Sequence, residues 1–148
     1  MKKKPLIVII LFIAIGLIIT IFLIRGSEAS LVETVQIKEQ YQDFIIHIRV
    51  EDTEDGFQVL RSLEYIGDEM VEIKHRTPLT QITIDKDNAV FTGSHRNMVL
   101  RPGNQYNPLE PLHLENLEKG SHRLYIHTQF MMEGKWINIK TEKEILFE

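Results

Sequence analysis

The sequence predicts an all-β domain, an antiparallel β-sandwich preceded by one transmembrane α-helix. Three observations carry that prediction. Residues 5–24 hold no charge and are almost wholly apolar. Beyond residue 30, apolar and polar residues alternate with a period of two, the pattern of strands with one buried face. Polar turn signals recur roughly every eight to twelve residues, which spaces about seven strands through the rest of the chain.

The first element runs from Pro5 to Ile24, with Leu6, Ile10, Phe12, Leu17, Phe22 and Ile24 among its apolar side chains. Twenty residues at the helical rise span roughly 30 Å, the thickness of a hydrocarbon core. Gly16 and Thr20 interrupt the run, and membrane helices tolerate both. Their spacing also matches a small-x-x-x-small helix contact. Lys2, Lys3 and Lys4 precede the run and a single Arg25 follows it. By the positive-inside rule the N-terminus is cytoplasmic and residues 26–148 lie outside, at a cell membrane. The rival expectation is a cleaved signal peptide, with Ser27-Glu28-Ala29 as the cleavage site, giving a secreted β-sandwich protein. The apolar run is longer than the usual signal core of about 7 to 15 residues, and Arg25 separates it from that site. An uncleaved anchor is therefore favoured, with a cytoplasmic stub at 1–4, a linker at 25–31 and an extracytoplasmic domain at 32–148.

Phe44, Ile46, Ile48 and Val50 alternate with His47 and Arg49 and predict a strand. Residues 57–66 fit either a strand or a short helix, and Gly67-Asp68-Glu69 supplies a hairpin turn after them. Val71 and Ile73 open the next strand, then Leu79, Ile82 and Ile84 lead into the polar turn Asp85-Lys86-Asp87-Asn88. Ala89-Val90-Phe91 reads as a further extended piece, and His95 to Pro108 as a loop-rich region. Leu124, Ile126, Thr128 and Phe130 alternate with polar neighbours; Glu133-Gly134 then turns the chain into Lys135 to Lys140, and Ile145-Leu146-Phe147 closes it.

Charge and composition exclude several classes. Beyond residue 25, the other 13 lysines and arginines face all 21 acidic residues, a net charge of −8. Phosphate backbones are bound by clustered Lys and Arg, so nucleic acid is not an expected partner. The chain has no cysteine, which rules out disulfides, Cys-ligated zinc and thiol catalysis. The domain must be held by its apolar core, which about 120 residues can supply.

Leu117-x-x-Gly120-x-His122 stands just before the strand at 124–130. It resembles the Leu-x-x-Gly-x-Tyr corner that opens the sixth strand of immunoglobulin-like sandwiches, where the ring hydroxyl returns to upstream backbone. Histidine replaces the tyrosine here, so an imidazole would have to make that bond. Leu100-x-Pro102-Gly103-x-x-Tyr106 and Leu63-x-Tyr65-x-Gly67-Asp68-Glu69-x-Val71-x-Ile73 are similar to strand-turn phrases of bacterial exported immunoglobulin-like modules. The resemblance spans residues 60–130 and implies an immunoglobulin-like fold; it implies no activity.

His47, His75, His95, His113, His122 and His127 raise the question of a metal. None forms a ligand pair at a suitable spacing, and His122 and His127 fall on opposite faces of one strand. Glu51-Asp52-Thr53-Glu54-Asp55-Gly56 forms an acidic loop, but the glutamate a calcium loop needs six residues past the glycine is Ser62. No activated nucleophile motif or glycine-rich phosphate loop occurs. Neither metal, cofactor nor enzymatic activity is expected.

Phe130-Met131-Met132-Glu133-Gly134-Lys135-Trp136 is the candidate partner-binding feature, a hairpin with Phe130, Met131, Met132 and Trp136 near its tip. Methionine adapts to varied partners and tryptophan is favoured at hot spots; the alternative is that Phe130 and Trp136 belong to the core. The expected function is a membrane-anchored module that docks an envelope protein through this hairpin or its loops. A ligand or metal sensor and a structural spacer are the alternatives.

Overall fold

The computed structural model describes residues 13–20 and 29–148. Among these are nine strands in two antiparallel sheets, compatible with a β-sandwich. The first sheet holds β1 (Val35–Tyr41), β2 (Phe44–Thr53) and β3 (Gly56–Tyr65) in that order, with the short β6 (Gln105–Tyr106) and β7 (Leu112–Leu114) both paired to β3. The second has the order β5-β4-β8-β9, from β4 (Val71–Ile84), β5 (His95–Leu100), β8 (Gly120–Met132) and β9 (Lys135–Phe147).

Alternation dictates which face each strand buries. On β3, Phe57, Val59, Leu63 and Tyr65 are buried; on β8, Leu124, Ile126, Thr128 and Phe130 are. Two aromatic clusters close the ends of the core. Phe44 packs on Phe130 at 4.8 Å and on Tyr65 at 5.2 Å, while Phe57 meets Phe147 edge-on at 5.3 Å at the other end. Such offset and tilted geometries are the favoured ones for aromatic rings. Between the clusters the Thr80 and Thr128 hydroxyls bond each other at 2.7 Å across β4 and β8.

Tight turns set the registers. Glu133 and Gly134 both take positive φ, the requirement of a two-residue hairpin whose twist matches its strands, and Met132 faces Lys135 across it. β4 is broken by a bulge between His75 and Thr80 that contains the cis Thr77–Pro78 peptide. A proline in a paired strand must lie at such an irregularity because it has no N–H to donate. Gly93 approaches this bulge so closely that a Cβ there would collide with the Thr77 carbonyl oxygen.

Several expectations are corrected. The 57–66 stretch is strand, but Gly67-Asp68-Glu69 is no hairpin turn: β3 and β4 belong to different sheets, so this segment crosses between them. Ala89-Val90-Phe91 is not a strand, and the region assigned to loop contains β5, an edge strand. Glu51, Asp52 and Thr53 continue β2, leaving Glu54-Asp55 as the turn. Ala29 and Leu31, placed by the sequence in a linker, are buried at 4% and 7% exposure. Their backbone is paired as well: Ser30 and Glu148 exchange bonds, Val32 N–H donates to the Leu146 carbonyl, and the Leu31 N–H donates to Asp52 Oδ1. Residues 29–32 thus belong to the domain, fastened to β9 where two apolar side chains complete the core.

Residues 13–20 are helical, with Leu17 58% exposed, and the Thr20 hydroxyl donates back to the Gly16 carbonyl at 2.8 Å. No helix among the described residues is long and apolar enough to cross a membrane. Lys2, Lys3, Lys4, Leu6, Ile10, Phe12, Phe22 and Ile24 lie outside the described residues.

The hairpin divides by burial. Phe130 is fully buried against Phe44, and Met132 packs on the core. Trp136 is 46% exposed and stands across from the half-buried Met131. Phe130→Ala should therefore cost about 3–5 kcal/mol of stability. Trp136→Ala should cost less than about 1 kcal/mol. Urea unfolding of the two variants checks the contrast, and equal losses would contradict this packing.

Candidate functional site

The candidate site is an open groove on the outer face of the first sheet. Gln36 and Lys38 of β1, His47 and Arg49 of β2, and Leu60 and Ser62 of β3 form its floor; Asn107, Leu109 and Pro111 form its wall. Register explains the floor. Gln36 pairs with Arg49 and Arg49 with Leu60, while Lys38 pairs with His47 and His47 with Ser62. Residues two apart on a strand share a face, so these two rows present six side chains together. The groove measures about 600 Å³, within the roughly 300–1,000 Å³ typical of ligand clefts.

The wall exists because of proline. β6 pairs with β3 at Leu63 and Glu64, and β7 pairs with it at Phe57 to Val59. Between them residues 107–111 face only residues 60–62, so two extra residues must arch away. Pro108 and Pro111 fall in this arch and have no N–H for a ladder. Ladder phase is set by Tyr65, whose N–H and C=O bond Asn104 and Gly103. Counting back by twos, the N–H and C=O of Arg61 point at the arch, and among the described residues no backbone bond joins them to it.

Arg61 also points its side chain inward, in phase with Val59 and Leu63. Its Nη1 donates to the Thr80 carbonyl and its Nη2 to the Glu110 carbonyl, each at 3.1 Å. Nε is buried without a partner. Burial lowers the pKa of this guanidinium, which nevertheless stays charged at neutral pH. Arg61 thus ties the arch to the β4 bulge and leaves a cation behind the groove with no carboxylate on it.

Two other floor side chains have partners of their own. His47 Nε2 donates to Glu64 Oε2 at 2.6 Å, and Arg49 meets Glu51 at 2.8 Å. Both carboxylates belong to the rim and neither lines the groove. Lys38 is exposed and makes no ion pair among the described residues.

The remaining histidines are scattered. His75 is fully buried: its Nδ1–H donates to the Arg76 carbonyl at 2.8 Å, leaving Nε2 to accept the Tyr106 hydroxyl at 2.9 Å. That arrangement requires the neutral ring, in keeping with a pKa lowered by burial. His95 and His113 are exposed. His127 lies edge-on to Phe91 at 4.9 Å and meets Asn138 Oδ1 at 3.1 Å. No group of three or more His, Cys, Asp or Glu side chains among the described residues could hold a metal ion.

His122 makes the corner bond that the sequence left to an imidazole. Its Nε2 donates to the Glu118 carbonyl at 2.9 Å, and its Nδ1 donates to Asp85 Oδ2 at 2.7 Å. Both partners only accept, so both ring nitrogens must carry protons and the ring is an imidazolium. Asp85 at positive φ also accepts the Arg123 N–H at 2.9 Å. The Asp85 bond, then the Glu118 carbonyl, raise the His122 pKa; the Arg123 N–H, then His122, lower that of Asp85.

The partner-binding candidates from sequence do not line the groove. Trp136 and Met131 lie on the outer face of the opposite sheet, and Phe130 and Met132 face the core. Sequence reasoning missed Lys38, Arg49, Leu60 and Arg61. A legible signal existed for one of them: Arg61 occupies an apolar phase between Val59 and Leu63. No protein-family model matches the chain, and no curated protein matches it in sequence.

Two predictions follow from these contacts. Held above its ordinary 6.5 in the folded chain, His122 contributes stability that is complete below that pH and lost as pH rises through the folded value. The stability gap between wild type and His122→Gln should therefore be widest below the ordinary histidine pKa of 6.5 and narrow as pH rises above it, read from urea midpoints. A gap that widens with pH would contradict the imidazolium. Arg61→Met should lose about 2 kcal/mol, because two bonds from a charged donor disappear. Amide exchange in the arch at 107–111 should then speed up while that of β8 is unchanged.

Proposed function

We propose that this chain is a membrane-tethered, non-catalytic binding module, held outside the cytoplasm, whose docking surface is the groove beside the proline arch. The single observation that carries the reading is the groove itself: a preformed recess of ligand size, walled by residues that arch out of the sheet. A polypeptide partner at the cell envelope is the ligand class we favour.

The tether rests on the uncharged run at 5–24 and on the lysines before it. Secretion after cleavage past Ala29 is disfavoured by the burial of Ala29, a residue the cleaved domain would lack. An immunoglobulin-like fold is supported by strand order. In such sandwiches the second and fifth strands pair in one sheet, and the third pairs with the sixth and the sixth with the seventh in the other. The same relations hold here if β3 is counted second, β4 third, β6 and β7 together fifth, β8 sixth and β9 seventh. The corner bond from His122 to the Glu118 carbonyl supports it too.

A second docking surface is favoured by one observation, the exposure of Trp136 across from Met131. Site-directed photocrosslinking of the full-length protein in its own membranes separates the two. A benzophenone side chain replaces Leu60 in the groove, Trp136 on the hairpin, or Tyr125 as a control on the opposite sheet. Discrete protein adducts at Leu60, absent at Tyr125, are expected. Adducts at Trp136 alone would move the docking surface to the hairpin, and identical patterns at all three would end the proposal.

A further inference from the structure

We infer that the groove is made for an acidic, extended polypeptide segment, an inference that rests on the groove reading above and adds the chemistry of its ligand. The exported residues carry a net charge of −8, so a random surface patch on this domain would be acidic. The groove departs from that balance. Lys38, His47, Arg49 and Arg61 line it, and no aspartate or glutamate does.

The free protein neutralises only part of that charge. Glu51 holds Arg49 from the rim, whereas Lys38 makes no ion pair among the described residues and Arg61 is bonded to carbonyls alone. Glu39 follows Lys38 in β1 but points to the other face of the strand. Arg49 is the exposed member of its pair with Glu51, their side chains being 56% and 22% accessible, and a pair open to solvent on one side contributes little. A ligand carboxylate can therefore compete for Arg49 at small cost while also meeting Lys38.

The apolar lining and the gap in the ladder favour an extended chain over a compact phosphate. Lys38 and Arg49 are diagonal neighbours on adjacent strands, roughly 7 Å apart, a spacing that also suits two acids borne two residues apart on one extended segment. Leu60, Leu109 and Pro111 stand beside them and favour a ligand that alternates acid with apolar side chains. The N–H and C=O of Arg61 at the ladder gap, which take no backbone bond from the arch among the described residues, offer a strand-like backbone one donor and one acceptor.

The test pans a random dodecapeptide phage library on the full-length protein in nanodiscs, beside Lys38→Glu/Arg49→Glu and Leu60→Asp variants whose folding is verified by thermal melting. Wild type should enrich sequences rich in Asp and Glu. Those peptides should bind the charge-reversed variant about tenfold or more weakly, and weaken as salt is raised. Enriched peptides without an acidic excess that Leu60→Asp nonetheless abolishes would leave the groove standing and overturn the ligand chemistry. Enrichment indifferent to all three substitutions would overturn both, and no enrichment would overturn the peptide ligand. Charge-dependent binding of phosphatidylglycerol vesicles in place of peptides would assign the cations to lipid headgroups and overturn the inference.

Discussion

An antiparallel edge strand gives every second N–H to the ladder, and Pro108, which would face Arg61 if the β6 register continued, has none to give. The functional geometry of this domain descends from that constraint. A single strand along β3 is split into β6 and β7, with five residues left to face three. The surplus length has to leave the sheet, and in leaving it uncovers the middle of β3. Arg61, which alternation points inward at that level, then finds two carbonyls, that of Glu110 on the arch and that of Thr80 where the β4 bulge ends. The bulge has a proline of its own, Pro78. Ladder failures on both sheets thus meet around one guanidinium.

A charged group inside a sandwich is costly unless its donors are satisfied. Here four of the five N–H groups reside on the two terminal nitrogens, and each of those nitrogens finds a carbonyl; Nε does not. Dipoles stabilise the cation without cancelling its charge, so its field persists toward the groove. The same logic runs in reverse at His122, where a full carboxylate and a carbonyl fix an imidazolium at the sandwich end. His75 shows the third solution: neutral, buried and matched to one donor and one acceptor. One residue type therefore serves as a charged staple at one position and a neutral core member at another, with geometry deciding which.

Much of the fold was legible because alternation is a local signal. β2, β8 and β9 and the Glu133-Gly134 turn follow from apolar periodicity and positive-φ chemistry alone. β5 was not legible, since an edge strand presents few apolar residues and His95, Asn97 and Val99 all face outward. The crossover at 66–70 was mistaken for a hairpin because its turn residues suit either, and only tertiary packing decides whether the next strand stays in the sheet. The groove was the least legible feature. Its floor joins residues of β1, β2 and β3 by register, and register is not written in any one segment. Arg61 in an apolar phase and the two prolines were visible, but their significance depends on lying opposite each other.

The beginning of the domain bears on how such a groove can work. Ser30 and Val32 pair with the end of β9, so force or tethering applied at residue 29 passes directly into the second sheet. A proposed anchor ending at residue 24 would leave only residues 25–28 as leash, roughly 14 Å at full extension. The 54–55 turn lies at the same end as Ala29, since Asp55 and Ala29 border one recess with Glu115 and Glu118. The Glu133-Gly134 hairpin is at the far end, roughly 40 Å away along β9. The groove lies between them on the flank, where Arg49 and Leu60 pair near the middle of their strands. A flank groove on so short a leash would face along the membrane rather than away from it. A strand-like segment bonded to Arg61 there would run along β3, from the tethered end toward the far hairpin, and so would rise from the bilayer beside the domain, a geometry suited to the stretch of a neighbouring protein that leaves the membrane there.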